Sequence, residues 1–584
     1  MTMSNVPQKN HAGNVMAKLL ADYGVQYVFG LPGGQTLALY YGILNQSGRI
    51  RHILMRDENN AVFAADAYAR LTGKIGVCDG TAGCGPLKYA SGLAEAYNSS
   101  VPLIAIAAEQ NSNWLTQKYR GGGPQQADIK RLLAPVTKWQ ATLPTTNQMP
   151  ELVQRAAQIA ASGRPGPVYI ECPFDLFDAE YTGPAYETDP NLASLPLFRN
   201  TPESSTVLRS LELLRVAKNP VLVVGGGGWL SGARDEIVEL AERLDMPVAT
   251  SLSGKGIMPE NHPLSLGVMG SLGANDVANR LTAEADLVVT VGYKYSQLAT
   301  NGWKFPTREQ TLIQIDIDGA EISKMRVADI GMVGDAKATL RLMLDCLSFT
   351  RQNPGMREKL GEERALWHAH VAKDTAERQP ISPQQVVAVL NELCDENTIL
   401  ACDASFSCGW ASTYFDVYGN RRVLMPRGMS GLGYGLPASI GAACARPEDT
   451  VVVLTGDGGL SYCLGEMATL KEQNLNVKVV VLNNSILGWI KWYQAAIWNG
   501  RFTDVDTTHI DFAAVGEGMG CRGYHITDPS ALKESLKEIL CEKGPAVIDI
   551  ITSETDACKF TDRPSAVEAV KASFLRKGAG AHGI

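Results

Sequence analysis

No block of lysines or arginines interrupts this sequence, and its net charge is −8. That excludes the basic footprint of a nucleic-acid binder and a patch for docking on an anionic membrane. No apolar run approaches the ~20 residues that a membrane span needs. The stretch from Met1 to Gly13 is polar and lacks the apolar core of a signal peptide, so the expected location is the cytoplasm. Cysteine is present at 12 residues, but no two form a C-x-x-C; Cys78/Cys84 and Cys402/Cys408 are each six residues apart. Zinc sites use tighter ligand pairs and disulfide frameworks belong to short secreted chains, so free, mostly buried thiols are expected. No short-period repeat is present.

What remains is an ordinary globular composition, 45% hydrophobic and 20% charged over 584 residues. That length suggests about three or four domains. The 57 glycines gather where short apolar runs end and helical stretches begin. Strands alternating with helices predict an α/β fold of three doubly wound parallel-sheet domains. The predicted domains are residues 14–180, 203–348 and 381–552, followed by a less patterned tail at 553–584. Residues 181–202 read as a linker, and Thr350–Pro380 as a polar, charged connection carrying surface histidines His368 and His370.

The most informative segment is Val451–Asn484. The apolar run Val451–Thr455 predicts a buried strand and ends in Gly456-Asp457-Gly458-Gly459. Leu464, Met467, Ala468 and Leu470 follow at helical spacing; Val477–Leu482 is a second strand ending in Asn483-Asn484. Both polar clusters therefore leave the carboxyl edge of one sheet, where such sheets bind ligands. Glycines let backbone approach a phosphate, and a helix start offers it free N–H groups. A carboxylate and an amide oxygen are hard ligands suited to Mg²⁺, which shares its shell with phosphates and water. Each half taken alone is as well explained as a turn or a helix start.

Together, G-D-G, a helix, a strand and N-N resemble the signature of thiamine diphosphate enzymes. The resemblance covers nearly the whole chain and is most detailed for acetolactate synthases. It implies that Asp457, Asn484 and the backbone carbonyl of Ile486 hold Mg²⁺, and that the three blocks are pyrimidine-binding, central and diphosphate-binding domains. It gives Glu58, ahead of Ala67-Tyr68-Ala69-Arg70, as the carboxylic acid that activates the cofactor from beside its pyrimidine ring. Val28-Phe29-Gly30-Leu31-Pro32-Gly33-Gly34 is similar to the synthase pattern V-F-G-x-P-G-G, bringing Gly33 and Gly34 to the reacting carbon. Gln125 matches an active-site glutamine, with Pro124 in place of an aromatic neighbour. Leu432, in Gly431-Leu432-Gly433-Tyr434-Gly435-Leu436-Pro437, is the expected apolar wedge beneath the cofactor, and Asp403-Ala404-Ser405-Phe406 is expected against the diphosphate. That glycine run is a weak dinucleotide signal, lacking both a clear preceding strand and a trailing acid.

The implied function is a thiamine diphosphate- and Mg²⁺-dependent carboligase or lyase, a transferase or lyase acting on a 2-oxo acid such as pyruvate. A decarboxylase, or a C–C lyase or hydrolase with another substrate, is an alternative; no adjacent His-His pair of the decarboxylase kind is present. A non-catalytic metabolite-binding protein on the same scaffold is a more remote one. Lys88 replaces a family asparagine, and Trp489 and Tyr493 replace Met and Trp; all three are read as substrate-pocket residues. Lys88 suits an anionic substrate group or, equally, solvent. The central block resembles an FAD-holding domain at Gly225–Gly228, Thr250–Gly254 and Asp316-Ile317-Asp318. Gly292–Leu298 there replaces a stretch with two arginines, and FAD stays open. The resemblance also implies a homodimer or homotetramer.

Overall fold

Short, β-branched apolar runs closed by glycine or a polar residue become the central strands of three sheets, each buried on both faces as parallel sheets require. The computed structural model describes residues 10–117, 122–193, 195–498 and 500–558. By its internal contacts the chain forms two units, one of Met1–Phe198 with Ile440–Arg446, the other of Arg199–Ser439 with Pro447–Ile584.

The first unit holds a six-stranded sheet of β1 (Tyr27–Gly30), β2 (Arg51–Leu54), β3 (Gly76–Gly80), β4 (Leu103–Glu109), β5 (Trp139–Thr142) and β6 (Val168–Pro173). Its order is β2-β1-β3-β4-β6-β5, and every pairing is parallel. The order reverses between β1 and β3, where open α/β sheets leave a crevice at the strands' carboxyl ends.

The second unit holds two more. β7 (Pro220–Val224), β8 (Val248–Thr250), β9 (Ser265–Val268), β10 (Leu287–Val291), β11 (Thr311–Asp316) and β12 (Ile330–Val333) form a parallel sheet in the order β12-β11-β10-β7-β8-β9. β13 (Ile399–Cys402), β14 (Arg422–Leu424), β15 (Val451–Gly456), β16 (Val477–Asn483), β17 (Arg522–Ile526) and β18 (Ala546–Ile551) form the other, ordered β14-β13-β15-β16-β18-β17. Counted from their own first strands, the first and third sheets share one order. The third reverses between β13 and β15, strands that pair directly from Ile399↔Val451 to Cys402↔Leu454.

The segment expected as a polar connection contains a 21-residue helix, Pro354–Asp374, capped by Asn353 and started by a proline at N1 or N2. Only Leu360 of that helix is buried, so it carries no apolar stripe to betray it. His368 and His370 lie on its exposed surface. Gly226–Gly228 open the short helix Gly226–Ser231. The twelve cysteines are free and mostly buried, as expected. Of the C-terminal tail, residues 559–584 lie outside the described residues. Among the described residues no helix is long and apolar enough to cross a membrane.

Candidate active site

At the β13/β15 reversal the second unit has a cavity of about 420 Å³. Ala404, Ser405 and Phe406 after β13, Gly456–Gly459 after β15, and Asn484 and Ile486 after β16 all line it, with Leu432. Residues far apart in sequence meet here because parallel strands put all their carboxyl ends on one edge.

Asp457 opens the four-residue turn Asp457–Leu460 and is 7% exposed. Its Oδ1 accepts the Gly458 N–H at 2.9 Å, and among the described residues no cation pairs with it. Burial raises its carboxyl to about 6, against the pull of the Gly458 and Ser485 backbone N–H groups. A buried acid with backbone donors and no cation is the environment a hard divalent ion completes. The two asparagines divide their work. Asn483 is 1% exposed and gives its amide to Asp549 Oδ1 and the Ile510 carbonyl, each at 2.9 Å. Asn484 lines the cavity, its Nδ2 3.5 Å from the Ser553 carbonyl. The segment around Ile486 is pinned on both sides, by Thr507 N–H to Ser485 O (2.8 Å) and Leu487 N–H to Val505 O (2.8 Å). Asp457, Asn484 and Ile486 thus bring oxygen donors of the type Mg²⁺ takes, beside a glycine turn fit for a diphosphate.

Asp403 does not line the cavity. It is 1% exposed and accepts the N–H groups of Ala404 (2.7 Å), Gly433 (3.0 Å) and Gly435 (3.2 Å). It ties the β13 loop to the loop carrying Leu432, and burial raises its carboxyl to about 6. Ser405 has φ 71° and ψ −143°, a backbone region that side chains avoid, immediately before the helix Phe406–Tyr414.

Trp489, on the helix Gly488–Ile497, lines the cavity with its ring centroid 5.4 Å from that of Phe406. Tyr493 does not line it; it backs Trp489 at 6.0 Å between centroids. Leu298, from the stretch that departs from the arginine-bearing pattern, lines it too. The sequence reading missed Arg427, a lining residue with no acid partner among the described residues.

In the first unit Glu58 begins the helix Glu58–Thr72, capped by Asp57, and is 6% exposed. Its Oε2 is buried and accepts no well-directed hydrogen bond, although Lys88 Nζ lies 3.1 Å away. Gly80 and Gly85 flank it: a Cβ on either would come within 3.3 Å of a Glu58 side-chain atom. Gly33 and Gly34 follow β1. Gln125, exposed and at φ 57°, accepts from Gln35 Nε2 (2.9 Å) and donates to Cys84 Sγ (3.3 Å). Gln35 in turn accepts from Thr81 Oγ1 at 2.6 Å, so the loops after β1 and β3 and the Gln125 segment form one chain of contacts. A buried cluster at the end of β3 also went unread: Asp79, 0% exposed, accepts from Tyr40 (2.5 Å) and lies 3.0 Å from His52 Nε2. An acid inside the strand Gly76–Gly80 was its signal.

At the β7/β10 reversal of the central sheet, Gly227 N–H donates to Gly292 O at 3.1 Å, and a Cβ on Gly225 would fall 2.2 Å from that oxygen. The loop glycines are accounted for by this backbone contact.

The family model described as Thiamine pyrophosphate enzyme, N-terminal TPP binding domain, matches residues 10–132. Those for the central domain and the C-terminal TPP binding domain match residues 207–343 and 403–550. The chain is 34% identical over 554 residues to the acetolactate synthase of Arthrospira platensis, covering 92% of this chain and 93% of that protein. It is 33% identical to a probable acetolactate synthase large subunit of Methanocaldococcus jannaschii, covering 92% and 91%. It is also 33% identical to the acetolactate synthase isozyme 3 large subunit of Escherichia coli K12, covering 90% and 91%.

Proposed function

This chain belongs to the acetolactate synthase family of thiamine pyrophosphate enzymes, and from that premise we propose that it joins 2-oxo acids such as pyruvate in a thiamine diphosphate- and Mg²⁺-dependent carboligation. The observation that carries this reading is the convergence of Asp457, Asn484 and Ile486 with the Gly456–Gly459 turn on one cavity at a sheet reversal. The domain boundaries adopted are 14–180, 203–348 and 381–552.

When bound, the cofactor supplies carbanion chemistry next to a carbonyl. The chain's residues bind, orient and protect it. Asp457, Asn484 and the Ile486 carbonyl would hold Mg²⁺, and Ser405 and the glycine turn would offer N–H groups to the diphosphate. Leu432 and Phe406 supply apolar surface, and Trp489 keeps water from the reacting centre. Glu58 Oε2 holds the proton shared with the pyrimidine ring, while Gly33, Gly34 and Gln125 lie on the reacting side. Arg427 offers a guanidinium to an anionic group, whether diphosphate or substrate carboxylate. The active assembly is a homodimer or a tetramer of dimers in the cytoplasm. FAD in the central domain stays an open part of the family reading, and the absorbance spectrum of the purified protein tests it.

The test is turnover of pyruvate with and without thiamine diphosphate and Mg²⁺, with products identified by mass spectrometry. The proposal expects a cofactor-dependent coupled product. Acetaldehyde alone would favour the decarboxylase reading, and no cofactor-dependent product from any 2-oxo acid would overturn both.

A further inference from the structure

Lys88 lies in the first turns of the helix Cys84–Ser99 with its side chain half exposed, free by its length to reach into water. Its ammonium is instead held by two carboxylates, 2.8 Å from Asp57 Oδ2 and 3.1 Å from Glu58 Oε2. Asp57 is fixed by another duty, since its Oδ1 caps the helix Glu58–Thr72 by accepting the Asn59 N–H at 2.8 Å. The two acids have different needs. Asp57's side chain is 35% exposed and Glu58's 8%, so water can compensate the first charge but not the second.

The other polar groups around Glu58 are turned to partners of their own. Tyr89, on the same helix as Lys88, gives its hydroxyl to the Ile106 carbonyl at 2.9 Å. Tyr40, on the helix Leu37–Asn45, gives its own to Asp79, and His52 faces the other Asp79 oxygen at 3.0 Å. Burial first, and neighbouring acids second, push both phenols far above their ordinary range, so they stay neutral. Among the described residues, Lys88 is the cation in ion-pair reach of Glu58. Lys88 holds its own proton more tightly than usual, through the Asp57 hydrogen bond above all, against burial and with help from Glu58.

We propose that Lys88 is a positioning residue for Glu58: its ammonium holds Oε2 in place as a carboxylate, so that the proton shared between Glu58 and the pyrimidine ring nitrogen is drawn from solvent when the cofactor binds. One proton leaves the buffer and enters that hydrogen bond; nothing is oxidised or reduced. The inference rests on the reading of Glu58 as the pyrimidine's partner. It gives Lys88 a task toward Glu58 in place of contact with an anionic substrate, since both of its near acids belong to the chain.

Thiamine diphosphate with Mg²⁺ is titrated calorimetrically into the cofactor-free protein at about pH 7, in two buffers of different ionisation enthalpy, to count protons taken up. Wild type should take up roughly one proton per site more than Glu58→Gln. Lys88→Met removes the cation, and a buried carboxylate without one takes a proton before the cofactor arrives. Its uptake should therefore fall to half of that difference or less, Lys88→Arg should restore it, and in a Glu58→Gln background Lys88→Met should change nothing. Wild-type uptake in Lys88→Met, with uptake reduced in Glu58→Gln, overturns the role of Lys88 and leaves Glu58's intact. Wild-type uptake in Glu58→Gln overturns the Glu58 assignment and this inference with it. Circular dichroism melts confirm that each variant is folded, and Lys88→Gln serves should Lys88→Met not fold.

Discussion

Gly33 and Gly34 stand side by side and are glycine for different reasons. A Cβ on Gly33 would lie 2.1 Å from Thr81 Oγ1 and 2.3 Å from Thr81 Cβ, while one on Gly34 meets nothing within 4 Å. Gly33→Ala must therefore displace the loop after β1 or break the Thr81–Gln35–Gln125 contacts. Gly34→Ala should leave the fold alone. Thermal melts of the two cofactor-free variants check this: a clear drop for Gly33→Ala, on the scale of about 1–3 kcal/mol for overpacking, and wild-type behaviour for Gly34→Ala. Asp403 gives a second residue-scale prediction. Asparagine in its place cannot accept three N–H groups equally, and a hydrogen bond to a charged group is worth about 1.5–3 kcal/mol. Asp403→Asn should lower the melting temperature and weaken cofactor binding, because the Gly435 N–H loses the Oδ2 that accepts it and faces an amide N–H instead. It should also change the pH dependence. Burial raises Asp403 to about 6, so between about pH 4 and 6 the folded chain keeps a proton that the unfolded chain has released. Wild-type stability from this group falls as pH rises through that window and is flat above it. Urea midpoints for Asp403→Asn should show that slope reduced.

At the scale of elements, what the sequence made readable was whatever buries a continuous apolar run. Val451–Thr455 and Val477–Leu482 are strands as expected, and each gains one residue. The site residues on the loops after those strands were legible for the same reason: a buried strand fixes where its next residues emerge. The helix Pro354–Asp374 was not readable because it hardly uses the hydrophobic periodicity by which helices are recognised. Side-chain partnerships were not readable either. That Lys88 meets Asp57 and Glu58, or that Asp403 faces inward rather than into the cavity, depends on how helix and loop are placed across a sheet, which spacing along the chain does not encode. Ser405 belongs here as well, for nothing in Asp403-Ala404-Ser405-Phe406 announces a positive φ. Its conformation suits glycine and costs a side-chain residue about 1–3 kcal/mol. Ser405→Gly should raise the melting temperature of the cofactor-free protein, as seen by calorimetry; an unchanged or lower value would mean that the serine side chain repays the strain.

Across the whole molecule, the first and third sheets share one strand order, and the candidate residues follow their strands, Glu58 in the first and Asp457 with Asn484 in the third. The segment after β10 of the central sheet, which is ordered differently, contributes Leu298 to the cavity wall. The central claim is that thiamine diphosphate is held through a divalent ion on Asp457 and Asn484. It is tested most directly by titrating the cofactor into metal-stripped protein, with and without Mg²⁺, for wild type, Asp457→Ala and Asn484→Ala. The account predicts tight binding to wild type only when Mg²⁺ is present, and binding weakened at least about 100-fold in each variant, as loss of a charge-bearing ligand contact of about 3 kcal/mol implies. Wild-type affinity in both variants, or equal affinity with and without the metal, would contradict it.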